Sequence, residues 1–232
     1  RLLDIYCGKP VKGLALYSSS EIYGDPTPEN IPTPETYRGN VDCQGPRACY
    51  AEAKRFGETM CYLFHQKYQM PITIIRPFNN YGPGMRLNDA RVPADFANAV
   101  RLNQDIVMFS DGSPTRTFCY ISDAITGYLK AVLYGEKGFE AFNIGMDKPE
   151  ISIRHLAEIY AEAGQEIFGY TGKTRFAVSA DKDYLENNPN RRCPVIDKAR
   201  AFLHYEPHVR VEQGVRYFLE YIKESREEEL IW

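Results

Sequence analysis

A doubly wound α/β fold, a parallel sheet with helices on its faces, is predicted by three features of this 232-residue sequence. Two short apolar runs, Gly13-Leu14-Ala15-Leu16-Tyr17 and Pro71-Ile72-Thr73-Ile74-Ile75-Arg76, read as buried strands. Between them, Arg47 to Tyr68 carries apolar residues at helical spacing, with Phe56, Met60, Leu63 and Phe64 on one side. Alternation of buried strands with helices is the pattern of a parallel sheet, whose crossovers need helices.

The remaining elements follow in order. Arg1 to Lys9 resembles the last turns of an amphipathic helix, and the first strand ends in Ser18-Ser19-Ser20, where the chain opens into a loop. A Pro-, Asp- and Glu-rich loop runs from Asp25 to Asn40. After Pro77, Asn80-Tyr81-Gly82-Pro83-Gly84 is turn chemistry, Val92 to Leu102 a helix, and Ile106-Val107-Met108-Phe109 a strand before the turn Asp111-Gly112-Ser113-Pro114. Thr117 to Ile121 reads as a buried strand, with Ser122-Asp123 capping a helix from Ala124 to Tyr134. Phe142 to Gly145 is a last strand. Ser152 caps a helix reaching Ala163, and Val211 to Glu229 forms a charged terminal helix.

Composition narrows the function. A net charge of -3, with no basic stripe interleaved with aromatics, argues against nucleic acid. The six cysteines form no C-x-x-C pair and have no His at zinc spacing, so they read as reduced, mostly buried thiols with no metal. No apolar run reaches the ~18 residues a membrane span needs. The N-terminus is not a signal peptide either, and the expectation is a cytoplasmic protein. No G-x-G-x-x-G occurs, and Gly169 to Thr174 imitates a P-loop without its upstream glycine, which would fall at Ile167.

The chemistry lies in Tyr50 and Lys54. Four residues apart on a helix, they share one face, so an ammonium can sit beside a phenol and favour phenolate, a base near neutral pH. On spacing alone, a packing residue beside a solvated charge is the commoner arrangement.

Four blocks occur in fixed order: Ser18-Ser19-Ser20-Glu21-Ile22-Tyr23-Gly24, Tyr50-x-x-x-Lys54, Arg76-Pro77-Phe78-Asn79-Asn80-Tyr81-Gly82-Pro83 and Thr115-Arg116-Thr117-Phe118. In these the chain resembles the extended short-chain dehydrogenase/reductases that modify nucleotide sugars. Gly45-Pro46-Arg47-Ala48-Cys49-Tyr50 and Asn88-Asp89-x-Arg91-Val92 bring it nearest to UDP-glucuronate decarboxylases and their relatives. The resemblance implies the C-terminal part of a Rossmann-like sheet, from 1–80 and 116–145, with a smaller α/β substrate-binding domain from 81–115 and 146–232. It also implies that roughly 100 residues with the glycine-rich NAD loop are missing, so the adenosine grip lies outside this stretch.

By the same resemblance the cofactor is NAD and the partner a UDP-linked sugar, in a homodimer formed through the Tyr50 helix. Tyr50 is the base for the sugar 4-hydroxyl, Lys54 holds the nicotinamide ribose, and Ser19 hydrogen-bonds the reacting oxygen, with strand-end capping as its plainer reading. Ser18 and Pro77 lie on the cofactor side, and Ser20 and Asn79 face the substrate, with Asx-turn chemistry an alternative for Asn79. Arg91, Arg116 and Arg192 suit a diphosphate, although a single Arg equally forms surface ion pairs. Phe109 stacks on the uracil or fills the core. The family's 4,6-dehydratases carry Asp-Glu where this chain has Ser20-Glu21, which leaves decarboxylation, with Glu21 and Arg192 acting on the carboxylate, or 4-epimerisation. A non-catalytic sugar-nucleotide binder is the reading of another class. Two departures from the decarboxylase pattern stand out: Ala51-Glu52-Ala53 replaces an acidic residue and glycine between Tyr50 and Lys54, and Asp89-Ala90-Arg91 replaces Asp-Gly-Arg.

Overall fold

The computed structural model describes residues 1–10, 12–45, 48–134, 138–177 and 189–231, the last by its backbone only. Arg47, where the long helix was expected to start, lies outside the described residues, as does Pro46. In chain order the elements are α1 (Leu2–Tyr6), β1 (Leu14–Tyr17), α2 (Ala48–Tyr68), β2 (Ile72–Pro77), β3 (Asn80–Tyr81), α3 (Val92–Arg101), β4 (Ile106–Met108), β5 (Thr115–Arg116), β6 (Cys119–Tyr120) and α4 (Ile121–Tyr134). They continue with β7 (Phe139–Ile144), β8 (Ile151–Ser152), α5 (Ile153–Phe168), β9 (Thr174–Phe176), β10 (Arg191–Arg192), α6 (Asp197–Leu203), α7 (Val211–Glu224) and α8 (Glu227–Ile231).

The predicted parallel sheet forms from β1, β2 and β7, in that order. β2 lies in the middle, with Leu14 opposite Ile72 on one side and Ile72 opposite Phe139 on the other. Alternation along the strands sorts their side chains onto two faces. Leu14, Leu16, Ile72, Ile74, Phe139 and Ala141 meet Cys61 and Phe64 of α2. Ala15, Ile75, Phe142 and Ile144 meet Ala131 of α4 and Ala199 and Leu203 of α6. All three strands run the same way, so Ser18, Phe78 and Gly145 emerge at one edge, where open α/β sheets bind ligands.

A second, larger core holds α3, α5 and α7 against β4, with Phe96, Tyr160, Val215 and Phe218 at its centre. The hydroxyl of Ser152 caps α5 by accepting from His155 N at 3.1 Å, as expected. The helix outruns its expected end and stops at Phe168, where Gly169 takes a left-handed φ of 68°.

Four other expectations are corrected. Thr117 to Ile121 is not one strand: β5 pairs with β10 and β8, β6 pairs with β3, and Thr117-Phe118 step between the two sheets. Ser122-Asp123 do not cap α4, which already starts at Ile121; the Asp123 carboxylate instead accepts from the backbone N–H groups of His208 and Val209, both at 2.8 Å. The terminal helix breaks at Ser225, whose ψ of 152° is extended, and restarts as α8. On α2, Phe56 and Leu63 are more than half exposed, and Ala51 and Cys61 are the buried residues. Of the six free cysteines, only Cys61, Cys119 and Cys193 are buried. Among the described residues no helix is long and apolar enough to cross a membrane, and no group of His, Cys, Asp and Glu could hold a metal.

Candidate active site

The serine turn is built by the strand before it. Ser18 N donates to Ile75 O at 2.8 Å, which extends the β1–β2 ladder by one residue. The chain then turns into a short 3-10 helix, Ser20–Tyr23, with extended Ser19 as its N-cap accepting from Glu21 N at 3.2 Å. The turn closes at Gly24, whose φ of 63° and approach to Asn40 admit no side chain: a Cβ there would lie 1.9 Å from Asn40 O. Glu21, within this turn, meets Arg192 of β10 in a largely buried ion pair.

The helix α2 lies along this turn. Lys54 Nζ donates to Tyr17 O at 2.8 Å and sits 5.6 Å from the centroid of the Tyr50 ring. Arg55 Nη1 donates to Ile22 O at 2.9 Å and to Arg38 O at 2.8 Å. Glu58, one turn beyond Lys54, accepts from Ser18 Oγ at 2.5 Å. The same carboxylate holds Arg76 of β2 through Nε at 3.0 Å and Nη2 at 2.6 Å.

A cavity of about 740 Å³, a normal size for a small-molecule site, opens above these groups. Ser18, Ser19, Ser20, Glu21, Tyr50, Pro77 and Asn79 line it, together with Arg91, Phe109, Arg116 and Arg192. Lys54 stands behind Tyr50 against Tyr17 O, which leaves two of its N–H groups for other acceptors. With Pro77 and the buried Oδ1 of Asn80 in the same wall, these residues fit the nicotinamide-ribose end of a dinucleotide.

Several side chains expected to face ligand are engaged by protein. The Ser18 hydroxyl is taken by Glu58. Asn79, in left-handed conformation with φ of 41°, donates its amide to Thr117 O at 3.0 Å and so ties β3 to the Thr117 step. The Arg116 guanidinium donates to the carbonyls of Thr115, Pro189 and Asn190, so it braces the β5–β10 pair as well as lining the cavity. Arg91 is paired with Asp89 at the rim. Ala90 has a φ of 53°, the conformation that a glycine at this point of the decarboxylase pattern would adopt freely.

Asn80, also in the lining, was not anticipated. Asn80 gives its amide nitrogen to Tyr128 Oη, and its Oδ1 is buried without a partner among the described residues. Arg192 Nη2 is equally buried and unpartnered, and so is Thr117 Oγ1, between the lining residues Arg116 and Phe118. Unpaired buried donors and acceptors are costly, and Asn80 Oδ1 and Arg192 Nη2 belong to residues that line the cavity, whereas Tyr160 Oη is unpartnered in the apolar core. Glu58 could have been found from its spacing, because Tyr50, Lys54 and Glu58 recur every four residues on one helix face.

A parallel sheet opening into a serine turn, with a Tyr-x-x-x-Lys helix packed along it, defines the short-chain dehydrogenase/reductase class. The chain belongs to the NAD dependent epimerase/dehydratase family, whose model matches residues 1–145. It is 35% identical over 214 residues to UDP-glucuronic acid decarboxylase 1 of Xenopus tropicalis, covering 92% of this chain and 48% of the relative. It is likewise 35% identical over 205 residues to UDP-glucuronic acid decarboxylase 3 of Arabidopsis thaliana, covering 87% of this chain and 55% of the relative. The chain thus spans about half the length of the curated relatives it matches. Among solved structures, it is similar to UDP-glucose 4-epimerase of Thermotoga maritima with UDP-glucose, at a TM-score of 0.80 and 25% identity, over 96% of this chain and 67% of that one. It is also similar to UDP-glucuronic acid 4-epimerase of Bacillus cereus with UDP-glucuronic acid and NAD, at a TM-score of 0.77 and 26% identity, over 96% and 65% of the two chains.

Proposed function

We propose that this chain carries the catalytic and sugar-binding part of an NAD-dependent enzyme that oxidises C4 of UDP-glucuronate and then decarboxylates it, to UDP-xylose or a 4-keto pentose. The observation that carries the reading is the Glu21–Arg192 pair in the wall of the Tyr50 cavity, with Arg192 Nη2 buried and without a partner among the described residues. A sugar carboxylate is the group that satisfies such a donor with charge-assisted hydrogen bonds.

Lys54 and Pro77 would hold NAD+ at its nicotinamide end, where it would supply the acceptor for the hydride leaving C4; the hydride would go back to C4 on the route to UDP-xylose and stay on NADH if a 4-keto pentose is released. Tyr50 takes the proton of the 4-hydroxyl, with Lys54 stabilising the phenolate and Ser19 orienting the oxygen. The 4-keto uronate is a β-keto acid, so its carbon–carboxylate bond breaks once the carboxylate is held by Arg192 and poorly solvated. Carbon dioxide leaves, and the electron pair remains as an enolate that takes a proton at C5. Ser20, Asn79, Arg91 and Arg116 are proposed to face the sugar diphosphate and Phe109 the base. Residues 1–80 with 116–145 are assigned to the cofactor side and 81–115 with 146–232 to the nucleotide-sugar side, a division supported by the α3–α5–α7 core drawing most of its residues from the latter.

A second reading, 4-epimerisation of a nucleotide sugar, draws support from the solved 4-epimerases that the chain resembles. Incubation of the full-length protein with NAD+ and UDP-glucuronate separates the two: loss of carbon dioxide by mass spectrometry is expected, an isobaric product supports the epimerase, and an unchanged substrate overturns both. In the active enzyme Tyr50→Phe is expected to lower turnover by about 10²- to 10⁴-fold, the usual contribution of a positioned base. A cytoplasmic homodimer is proposed as its setting, with exposed Phe56 and Leu63 of α2 as the pairing face. Light scattering at a monomer mass would overturn that pairing.

A further inference from the structure

We infer that Glu58 is a positioning residue which, through Arg76 and Tyr23, sets the spacing between the Tyr50 helix, the Ser19–Glu21 turn and the strand that carries Arg192. This rests on the proposed function for the reaction being positioned. Glu58 reaches no cavity-lining atom except through Ser18, and its carboxylate stands where three elements meet. From α2 it accepts from Ser18 Oγ at 2.5 Å, at the end of β1, and from both Nε and Nη2 of Arg76 on β2. The Glu58–Arg76 pair is largely buried, with side-chain exposures of 14% and 11%, so neither charge is offset by water.

Arg76 extends the link. Its Nη1 donates to Tyr23 Oη at 2.8 Å and to Glu35 O at 3.0 Å. Tyr23, the last residue of the 3-10 turn, donates in its turn to Asn143 Oδ1 at 2.7 Å. Burial pushes the Tyr23 phenol up to about 12 against the pull of Arg76, so it keeps the proton that this bond needs. Asn143 Nδ2 then donates to Thr33 O at 3.0 Å and Val195 O at 3.1 Å. Thr33 N donates to Cys193 O at 2.8 Å, next to Arg192.

The chain of bonds therefore starts on the helix of Tyr50, passes under the turn of Ser19 and Glu21, and ends beside Arg192. Both members of the Glu21–Arg192 pair and the proton-transfer residues are registered against one buried carboxylate. A shift of about 1 Å in such groups costs about 10²-fold in rate. The bonds of the route run between buried or half-buried groups, so a change at Glu58 is transmitted rather than absorbed by solvent.

The test uses Glu58→Gln, which keeps an acceptor for Ser18 but loses the charge, and Tyr23→Phe, which keeps the ring and cuts the relay. In the enzyme assayed with NAD+ and UDP-glucuronate, kcat is expected to fall about 10²-fold in the first and about tenfold in the second. KM for the nucleotide sugar is expected to stay within about threefold of the parent in both. Hydrogen exchange followed by mass spectrometry is expected to quicken in peptides spanning residues 19–23 and 191–195, and to stay unchanged over Ile106–Met108. Parent-like kcat in Glu58→Gln overturns the inference, and so does a raised KM with kcat intact. Exchange rising equally across the chain overturns it too, by assigning Glu58 to the fold alone. Should the parent fail to turn over UDP-glucuronate, the proposed function falls, and the exchange pattern alone decides for or against Glu58.

Discussion

Around Tyr160 and Phe218, helices α3, α5 and α7 bury one continuous apolar core, whereas around Tyr50 helix α2 buries only Ala51 and Cys61. On that sheet side, Phe56, Leu63, Leu129 and Leu133 of α2 and α4 are more than half exposed. Its interior there includes a buried ion pair, a phenol and an amide in series, from Glu58 through Arg76 and Tyr23 to Asn143. The difference separates two means of holding a site. Apolar packing is tolerant of direction and gives the α-helical side its bulk stability. Hydrogen-bonded charges are directional, so they fix the positions of Ser19, Glu21 and Arg192, at the cost of desolvating Glu58 and Arg76.

Substitutions on the two sides test that contrast. The largest stability effect is expected from Phe218→Ala in the apolar core, a loss of about 3–5 kcal/mol in urea unfolding. A loss below about 1 kcal/mol would mean that this core is looser than its burial indicates. On the polar side, Arg192→Met removes the buried donor with little change in volume. Calorimetry is expected to show UDP-glucuronate affinity weakened by about 1.5–3 kcal/mol and UDP affinity unchanged, as the proposed pairing of Arg192 with the sugar carboxylate requires. Equal losses for both ligands would place Arg192 at the diphosphate instead.

Between the two sides, the rim alanine offers a gain. Ala90 pays for its left-handed φ of 53° with a Cβ clash that glycine avoids. Ala90→Gly is expected to stabilise the protein by about 1 kcal/mol, read as a higher urea midpoint, and a lower midpoint would show the clash to be relieved already. The smallest effect belongs to the exposed face of α4. Leu133→Ser, at 79% exposure, is expected to stay within about 0.5 kcal/mol of the parent. A larger loss would mean that this face is covered in solution.

Local pattern located β1 and β2 as short apolar runs, α2 by its helical spacing and α5 by its Ser152 cap. It failed at Thr117 to Ile121, where two-residue strands join different sheets and no repeat exists to be read. It also failed at Asp123, a cap by residue type, whose partners His208 and Val209 are more than 80 residues away in the chain. The site was legible where motifs are local: Ser19 with Glu21, and Tyr50 with Lys54. The engagement of Ser18 by Glu58, of Asn79 by Thr117 and of Arg116 by Pro189 was not, since the partners lie on separate elements.

By itself the sequence determined the class of fold, the Tyr50–Lys54 face and the serine turn, because these depend on residues within a few positions of one another. Only the tertiary structure decided that Glu21 meets Arg192 across 171 positions, and that one carboxylate, Glu58, registers the turn against the helix. The reason is physical. Helical and strand periods are set by local backbone geometry, whereas the pairing of buried charges depends on which elements the folded chain packs together.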